Sequence, residues 1–266
     1  MNFDKTNCII IIMTHSNYID VCNNFIELLY ENWKDCPFDI IAGVVGQNKK
    51  VKRVKNIYIG ESKQLTDCIT VISNEHNADY YMCFLGDAFI NQKVLNDEVF
   101  CLLNELSKKD INYCRIVTRK YEKHNSIYRY IKSNDIYCHS FVGFIATKQF
   151  INQEFSGVSD LEFEKKYLVL ANNKEISFVF KDRVMLLKDI FHIEPGIVKG
   201  KWDRIAYYKI KKQNPKIHLT EREKISWMEE LKILLINFNQ RFVPSYLRIK
   251  IKKLLTLLGV KFTTKY

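Results

Sequence analysis

The run YYMCFLGDAFI, residues 80–90, is apolar up to Leu85, is interrupted by Gly86-Asp87 and is apolar again from Ala88. A short apolar run that ends at a turn signal is typical of a strand buried on both faces of a parallel sheet. A carboxylate directly after such a strand lies at its carboxyl end, where open α/β sheets bind their ligands. A Gly-Asp pair also commonly starts a turn, so Asp87 alone leaves both interpretations open.

Strand and helix patterns alternate on both sides of this run. Strands are predicted at residues 8–13, 38–42, 54–59 and 113–117, and helices at 20–33, 65–75 and 94–106. The helical segments carry apolar residues three and four apart, as at Phe25, Leu28 and Leu29. From residue 136 the pattern is less regular, with a strand or two within residues 137–150 and one more helix around 160–170. The alternation predicts an α/β fold, a Rossmann-like three-layer sandwich with a mostly parallel central sheet.

The composition is that of a globular protein kept in a reducing compartment. Of the 266 residues 47% are hydrophobic, and Gly and Pro are scarce at 9 and 4, so one substantial core is expected. The eight cysteines form no CxxC pair, and several lie inside apolar runs, which favours free thiols. The amino terminus has no signal-peptide pattern, and no run reaches the roughly 20 apolar residues of a membrane span. We expect a cytoplasmic protein.

The net charge of +11 is concentrated at the carboxyl end. Residues 199–266 contain 17 of the 41 Lys and Arg but 5 of the 30 Asp and Glu. Two amphipathic helices are predicted there, around 225–238 and 247–258, and basic amphipathic helices bind anionic membrane surfaces. Packing of these helices on the body or on a second subunit is the alternative, which leaves a homo-oligomer open. We predict two regions, residues 1–218 and a basic tail, residues 219–266.

The positive charge of the tail also makes nucleic-acid binding a candidate function. Only Tyr207 and Tyr208 interleave with the lysines in an exposed-looking pattern, and the other aromatic residues fit core positions. We therefore expect no nucleic-acid partner.

A second polar segment is HIEPGIVKGKW, residues 192–202. His192 is an imidazole that could bind a metal ion, and Lys199 and Lys201 are cations suited to phosphate oxygens. Glycines at 196 and 200 allow the loop between them to adopt unusual backbone angles. The alternative is a surface loop with incidental charge and a histidine packed beside Phe191.

A third candidate lies in SDLEFEKKYL, residues 159–168. Glu162 or Glu164 could remove a proton from an attacking hydroxyl group as a general base. Acidic residues in the first turn of a helix equally favour the helix dipole. Both interpretations remain open from the sequence.

The order of these features, from a strand-end Asp through a central acidic segment to a late His with a basic Gly loop, resembles one family. The chain looks like a small bacterial nucleotide-sugar glycosyltransferase of the GT-A type, as found in capsule and O-antigen gene clusters. The resemblance covers roughly residues 7–210, and it departs from the family pattern at two positions. Gly86 stands where the metal motif usually has its first carboxylate, and Leu161 stands where an aromatic residue usually stacks on the acceptor.

The resemblance implies a role for each matching position. It implies that the nucleotide contacts lie at Met13, Thr14, His15 and Gly86, with Lys199 and Lys201 at the diphosphate. It implies Mn²⁺ or Mg²⁺ bound by Asp87 and His192, with Glu164 as the base and Glu162 beside it.

The expected activity is transfer of a sugar from a nucleoside diphosphate sugar, such as a UDP-sugar, to a lipid-linked saccharide by a single displacement. This would take place at the inner face of the cytoplasmic membrane. A catalytically silent GT-A-like scaffold that tethers a polysaccharide assembly is the alternative, favoured by Gly86 and Leu161.

Overall fold

A computed structural model of the chain describes residues 7–118, 126–135, 138–172 and 178–242. The strands are β1 Cys8–His15, β2 Asp39–Val45, β3 Lys55–Gly60, β4 Tyr80–Leu85, β5 Ala88–Ile90, β6 Tyr113–Arg115, β7 Tyr128–Lys132, β8 Gly143–Ala146, β9 Val179–Leu186, β10 Ile193–Pro195, β11 Ile197–Val198 and β12 Lys201–Trp202. The helices are α1 Ile19–Asn32, α2 Leu65–Glu75, α3 Asn96–Lys108, α4 Lys148–Glu154, α5 Asp160–Asn172, α6 Arg204–Gln213 and α7 Trp227–Phe242, and a short 3₁₀ turn at Ser16–Tyr18 precedes α1.

Eight strands form the central sheet in the order β3-β2-β1-β4-β8-β6-β9-β7. β1 pairs in parallel with both β2 and β4, β2 pairs in parallel with β3, and β6 pairs in parallel with β9. β8 runs antiparallel between β4 and β6, and β7 runs antiparallel at the edge beside β9. The predicted mostly parallel α/β sheet is confirmed.

Helices cover both faces of this sheet, because its buried strands are apolar at successive residues, which point to opposite faces. Ile10 and Ile12 of β1 belong to the hydrophobic cluster that includes α1 and α3. Ile9 and Ile11 point to the other face, whose cluster includes α2, α4 and α5. The molecule is therefore a three-layer sandwich, as predicted.

The chain after β9 builds one side of the sheet edge at which β1 and β4 end. β10 pairs with β5, and β11 and β12 form a hairpin. Residues 214–226, here called the strap, then cross α1: Asn24 donates to the carbonyl of His218 at 2.8 Å and accepts from the N–H of Thr220 at 2.7 Å. The first residues of the predicted tail therefore pack on the body.

The boundaries of α2 match the prediction, and β8 lies within residues 137–150, where a strand or two was predicted without a direction. All eight cysteines are free thiols, as expected. Among the described residues, none of the helices combines the length and apolar composition needed to cross a bilayer. The first predicted tail helix corresponds to α7, and the second, around 247–258, lies outside the described residues.

Candidate functional site

β1 and β4 end side by side at the carboxyl edge of the sheet. The N–H of Gly86 donates to the carbonyl of Met13 at 2.9 Å and so links the two strand ends. The side chains of Met13 and Thr14 are buried, whereas His15 is half-buried. Among the three residues predicted to hold a nucleotide base, His15 is therefore the one whose side chain reaches the surface.

The imidazole of His15 has a defined orientation. Its Nδ1 accepts a hydrogen bond from the backbone N–H of Asn17 at 3.1 Å, so the neutral ring carries its proton on Nε2. Gly46 has a φ of 85°, and a Cβ there would lie 2.8 Å from His15 Nε2. The glycine after β2 therefore makes room for this ring at the edge of the sheet.

Asp87 lies in the turn directly after β4, as predicted, and its side chain is half-buried. Burial raises the pKa of its carboxyl to about 6, and one hydrogen bond from its own backbone N–H acts in the opposite direction. No other described residue donates a hydrogen bond to this carboxylate. A poorly solvated carboxylate with unused lone pairs gains strongly from a cation placed beside it.

Gly86 departs from the family pattern because this turn is closely packed. A Cβ at this position would lie 3.1 Å from Cys22 Sγ and 3.2 Å from Thr14 Oγ1. The first turns of α1 thus occupy the space that a side chain at position 86 would need. The turn presents one carboxylate rather than two.

The ladder between β5 and β10 separates His192 from Asp87. The N–H of Gly196 donates to the carbonyl of Asp87 at 3.0 Å, and at the opposite end the N–H of Asn91 donates to the carbonyl of His192 at 3.1 Å. The four residue steps between Gly196 and His192 span roughly 13 Å. The structure does not bring the two predicted metal ligands together. The prediction of one metal site that combines Asp87 with His192 is therefore wrong.

The direction of β5 explains this separation. Asn32, the last residue of α1, donates to the carbonyl of Ile90 at 2.9 Å. Since α1 begins where β1 ends, β5 leads away from the candidate site along the helix. The backbone N–H of His192 donates to Asp189 Oδ1 at 3.1 Å, and its Nδ1 lies 3.5 Å from Asp189 Oδ2. His192 therefore contributes to the turn that precedes β10.

The hairpin of β11 and β12 places its two lysines differently. Lys199 and Gly200 form its turn with φ values of 51° and 81°, as in a type I′ turn. The exposed side chain of Lys199 lies at the tip. Lys201 Nζ lies 2.7 Å from Glu223 Oε2, a contact that raises the pKa of Lys201. Lys199 is therefore the better placed cation for a phosphate group.

Arg222 of the strap joins this hairpin to the start of α1. Its Nε and Nη2 donate to the two carboxylate oxygens of Asp20 at 2.7 and 2.6 Å. Its Nη1 donates to the carbonyl of Gly200 at 3.1 Å, and Nη2 also donates to the carbonyl of Asn17 at 2.6 Å. The guanidinium lies 4.9 Å from the ring centroid of Tyr18. We call this set of contacts the Arg222 clamp.

Solved structures with a partly similar backbone fold were found at low sequence identity. A cytidylyltransferase from Leptospira borgpetersenii serovar Hardjo-bovis has a TM-score of 0.47 and 11% identity, over 87% of this chain and 95% of that chain. TarS from S. aureus has a TM-score of 0.46 and 12% identity, over 89% of this chain and 44% of TarS. No family model matches the sequence, and no curated protein matches it significantly. These similarities do not assign the chain to a family.

Glu162 lies in the first turn of α5 and caps the start of that helix. Its Oε2 accepts from the N–H and the hydroxyl of Ser159 at 2.9 and 2.7 Å, and Ser159 Oγ accepts from the N–H of Glu162. These hydrogen bonds lower the pKa of Glu162 and make it a weaker base. Glu164 lies in α5, but its side chain is outside the described part of the chain. Its role as a base remains a prediction.

A divalent cation fits this site as a companion of a bound diphosphate. Within the described residues no three His, Cys, Asp or Glu side chains are close enough to share an ion. Mg²⁺ is commonly held by one or two carboxylates together with substrate phosphates. Asp87 fits that arrangement as the single protein ligand.

Sequence reasoning missed a buried polar network that holds α5 against the sheet. Arg183 of β9 donates to Glu154 Oε1 at 3.0 Å and to the hydroxyl of Tyr167 at 2.9 Å. The Tyr167 hydroxyl donates to Glu154 Oε2 at 2.6 Å, and the ring of His139 stacks on Tyr167 at 3.6 Å. Burial and the charge of Arg183 hold the pKa of His139 well below its usual range. The network links α4, α5, β9 and the segment before β8.

Proposed function

We propose that the protein is a glycosyltransferase that uses a nucleoside diphosphate sugar as its donor. The observation that carries this proposal is the position of Asp87. A half-buried carboxylate lies at the carboxyl end of a parallel strand, beside the end of β1 and opposite a hairpin with an exposed lysine. This is the part of an α/β sheet where phosphorylated ligands bind.

In this proposal the donor lies across the ends of β1 and β4. The ring of His15 contacts the nucleotide base, and Lys199 contacts the diphosphate. Mn²⁺ or Mg²⁺ bound between Asp87 and the diphosphate would neutralise charge on the leaving group. A UDP-sugar is the donor that we favour.

The proposed reaction is a single displacement. Glu164 takes the proton from an acceptor hydroxyl, whose oxygen forms a bond to the anomeric carbon while the bond to the diphosphate oxygen breaks. The nucleoside diphosphate leaves with the electron pair, and the anomeric centre is inverted. The proposed acceptor is a lipid-linked saccharide of a bacterial surface polysaccharide, at the inner face of the cytoplasmic membrane. The basic charge of residues 219–266 supports this location.

Donor binding and turnover test the proposal directly. The melting temperature of the full chain is measured with UDP-sugars, with and without Mn²⁺, and release of UDP is then followed with a lipid-linked acceptor. We expect stabilisation by UDP-sugar with Mn²⁺ that is lost in Asp87→Asn. Stabilisation without turnover on any acceptor would favour the catalytically silent scaffold. Gly86 and the exposed Leu161 are the two residues that favour this alternative. No stabilisation by any nucleotide sugar would reject donor binding itself.

A further inference from the structure

Helix α7 presents an apolar stripe to solvent. The stripe consists of large hydrophobic residues at helical spacing whose side chains are between 45% and 69% exposed: Trp227, Met228, Leu231, Leu234 and Leu235. In the sequence the same spacing continues at positions 238 and 242, both Phe. A contiguous apolar surface of this kind marks an interaction site.

The stripe is firmly attached to the edge that carries the candidate site. Glu230, on another face of α7, is buried and accepts from the backbone N–H of Arg204 at 3.0 Å. The guanidinium of Arg204 lies 4.9 Å from the centroid of the Trp227 ring. Just before α7, Trp202 of the hairpin donates to the carbonyl of Glu223 at 2.8 Å and accepts from the N–H of Ile225 at 2.9 Å. The first turn of α7 is therefore fixed relative to the hairpin.

The charges on α7 and in the sequence that follows it indicate the partner of the stripe. The exposed Lys232 lies on α7 beside it, and the 24 residues after α7 contain six Lys and Arg and no Asp or Glu. An apolar helical face that has Lys232 beside it and a basic segment after it in the chain fits the interface of an anionic bilayer, where apolar side chains enter the acyl boundary and cations meet the headgroups.

We infer that the α7 stripe inserts into the surface of an anionic membrane and holds the hairpin and Asp87 edge close to that surface. This rests on the proposed function only for the identity of the acceptor. In this orientation the lipid of an acceptor stays in the bilayer while the sugar attached to it reaches the edge of the sheet.

The natural tryptophans provide a specific probe. Trp33 and Trp202 are fully buried, whereas Trp227 is 69% exposed. The full chain is mixed with vesicles of phosphatidylcholine and phosphatidylglycerol that carry brominated acyl chains, which quench only tryptophans within the bilayer. We expect quenching in the native chain and none in Trp227→Phe. Absence of quenching in the native chain would overturn the inference.

A pair of variants separates the stripe from general effects of an added charge. Leu231→Glu with Leu235→Glu should lower vesicle affinity by at least about tenfold. Val169→Glu places the same carboxylate on an exposed apolar position of α5 and should bind like the native chain. Circular dichroism confirms that each variant is folded. Equal vesicle binding by the double variant would contradict the inference.

Other occupants of the stripe give distinct results. A native dimer that the double variant converts to monomer in sedimentation would show that a second copy covers the stripe, against our inference. Loss of thermal stability in the double variant, with no vesicle binding by the native chain, would show that residues 243–266 cover it. Stabilisation by UDP-sugar is measured without vesicles, so its absence rejects the proposed function while quenching of Trp227 still supports this surface.

Discussion

The backbone N–H of Gly196 donates a 3.0 Å hydrogen bond to the carbonyl of Asp87. This contact joins the turn after β4 to the start of the hairpin. A Cβ at position 196 would lie 2.4 Å from Cε2 of Phe89, so the close approach of the two segments requires a glycine. The candidate metal ligand is thus held from both sides by backbone contacts.

The raised pKa of Asp87 predicts a stability cost that depends on pH. The unfolded chain ionises this group near 3.9, whereas the folded chain does so at about 6, so folding is disfavoured increasingly as pH rises between these values. The cost reaches up to about 3 kcal/mol above pH 6. Asp87→Asn should therefore raise the free energy of unfolding at pH 7.5 but not at pH 4. Urea denaturation at both pH values measures this, and an equal effect at both would contradict a raised pKa.

His192→Ala should leave donor binding unchanged, because the ladder places His192 roughly 13 Å along the strand from the residue opposite Asp87. Titration of UDP with Mn²⁺ by calorimetry compares this variant with Asp87→Asn, which should lose the metal-dependent part of binding. A matching loss in His192→Ala would show that the imidazole reaches the site.

Restoring the missing carboxylate should destabilise the turn. In Gly86→Asp the new Cβ meets Cys22 Sγ and Thr14 Oγ1, a crowding that we expect to cost about 1 to 3 kcal/mol. Gly86→Ala isolates the effect of the Cβ. Adding Cys22→Ala should recover part of the loss, and strictly additive effects in this cycle would argue against a direct contact.

The Arg222 clamp should contribute to both stability and the shape of the site. Arg222→Ala should lower the free energy of unfolding by about 2 kcal/mol at pH 7. Arg222→Lys should not restore it, since an ammonium cannot reproduce the paired contacts with Asp20. Thermal unfolding in the presence and absence of UDP-sugar shows whether the loosened hairpin also weakens donor binding.

The stability contributed by the Arg222 clamp should be lost at low pH. Burial raises the pKa of Asp20, but hydrogen bonds from Arg222 and Thr220 outweigh it and leave the pKa below its usual value. The stabilisation is therefore fully present above the unfolded value near 3.9 and is lost as pH falls through the lower folded value. The penalty of Arg222→Ala should shrink in denaturation at pH 2.5, and a constant penalty would point to packing instead.

In the buried network, a substitution of the largely buried Arg183 should cost far more stability than a substitution of the exposed Lys166. Arg183→Met leaves the carboxylate of Glu154 without its buried partner and should cost about 3 to 5 kcal/mol. Lys166→Ala removes the other cation from the same carboxylate, but its side chain is 53% exposed, so about 1 kcal/mol or less is expected. Similar losses in both variants, measured by urea denaturation, would contradict this asymmetry.

The sequence predicted the part of the fold in which each element is long and regular. The apolar spacing of α2 defined its boundaries, and the runs at β1 and β4 identified the centre of the sheet. β8 has four residues, Gly143–Ala146, and its antiparallel direction is set by its pairing with β4 and β6 rather than by its own residues. The sequence pattern of residues 137–150 predicted a strand or two there, but neither the bounds nor the direction of β8.

The candidate site was predictable where it depends on a strand end and not where it depends on a distant contact. Asp87 follows β4 because the apolar run ends there. The position of His192 depends on the direction of β5, which no residue pattern encodes. Arg222 is one of 17 basic residues after position 198, and its neighbours in the sequence do not distinguish it.

The strap also determines when the candidate site can be completed during synthesis. Arg222 and Asp20 are 202 positions apart, and Thr220 and Asp20 are 200 apart. A nascent chain can pair β1, β2 and β3 from its first 60 residues, but the hairpin and its clamp must wait until the strap has left the ribosome. A ribosome stalled before position 220 would therefore carry a sheet whose carboxyl edge is still open on the side of α1.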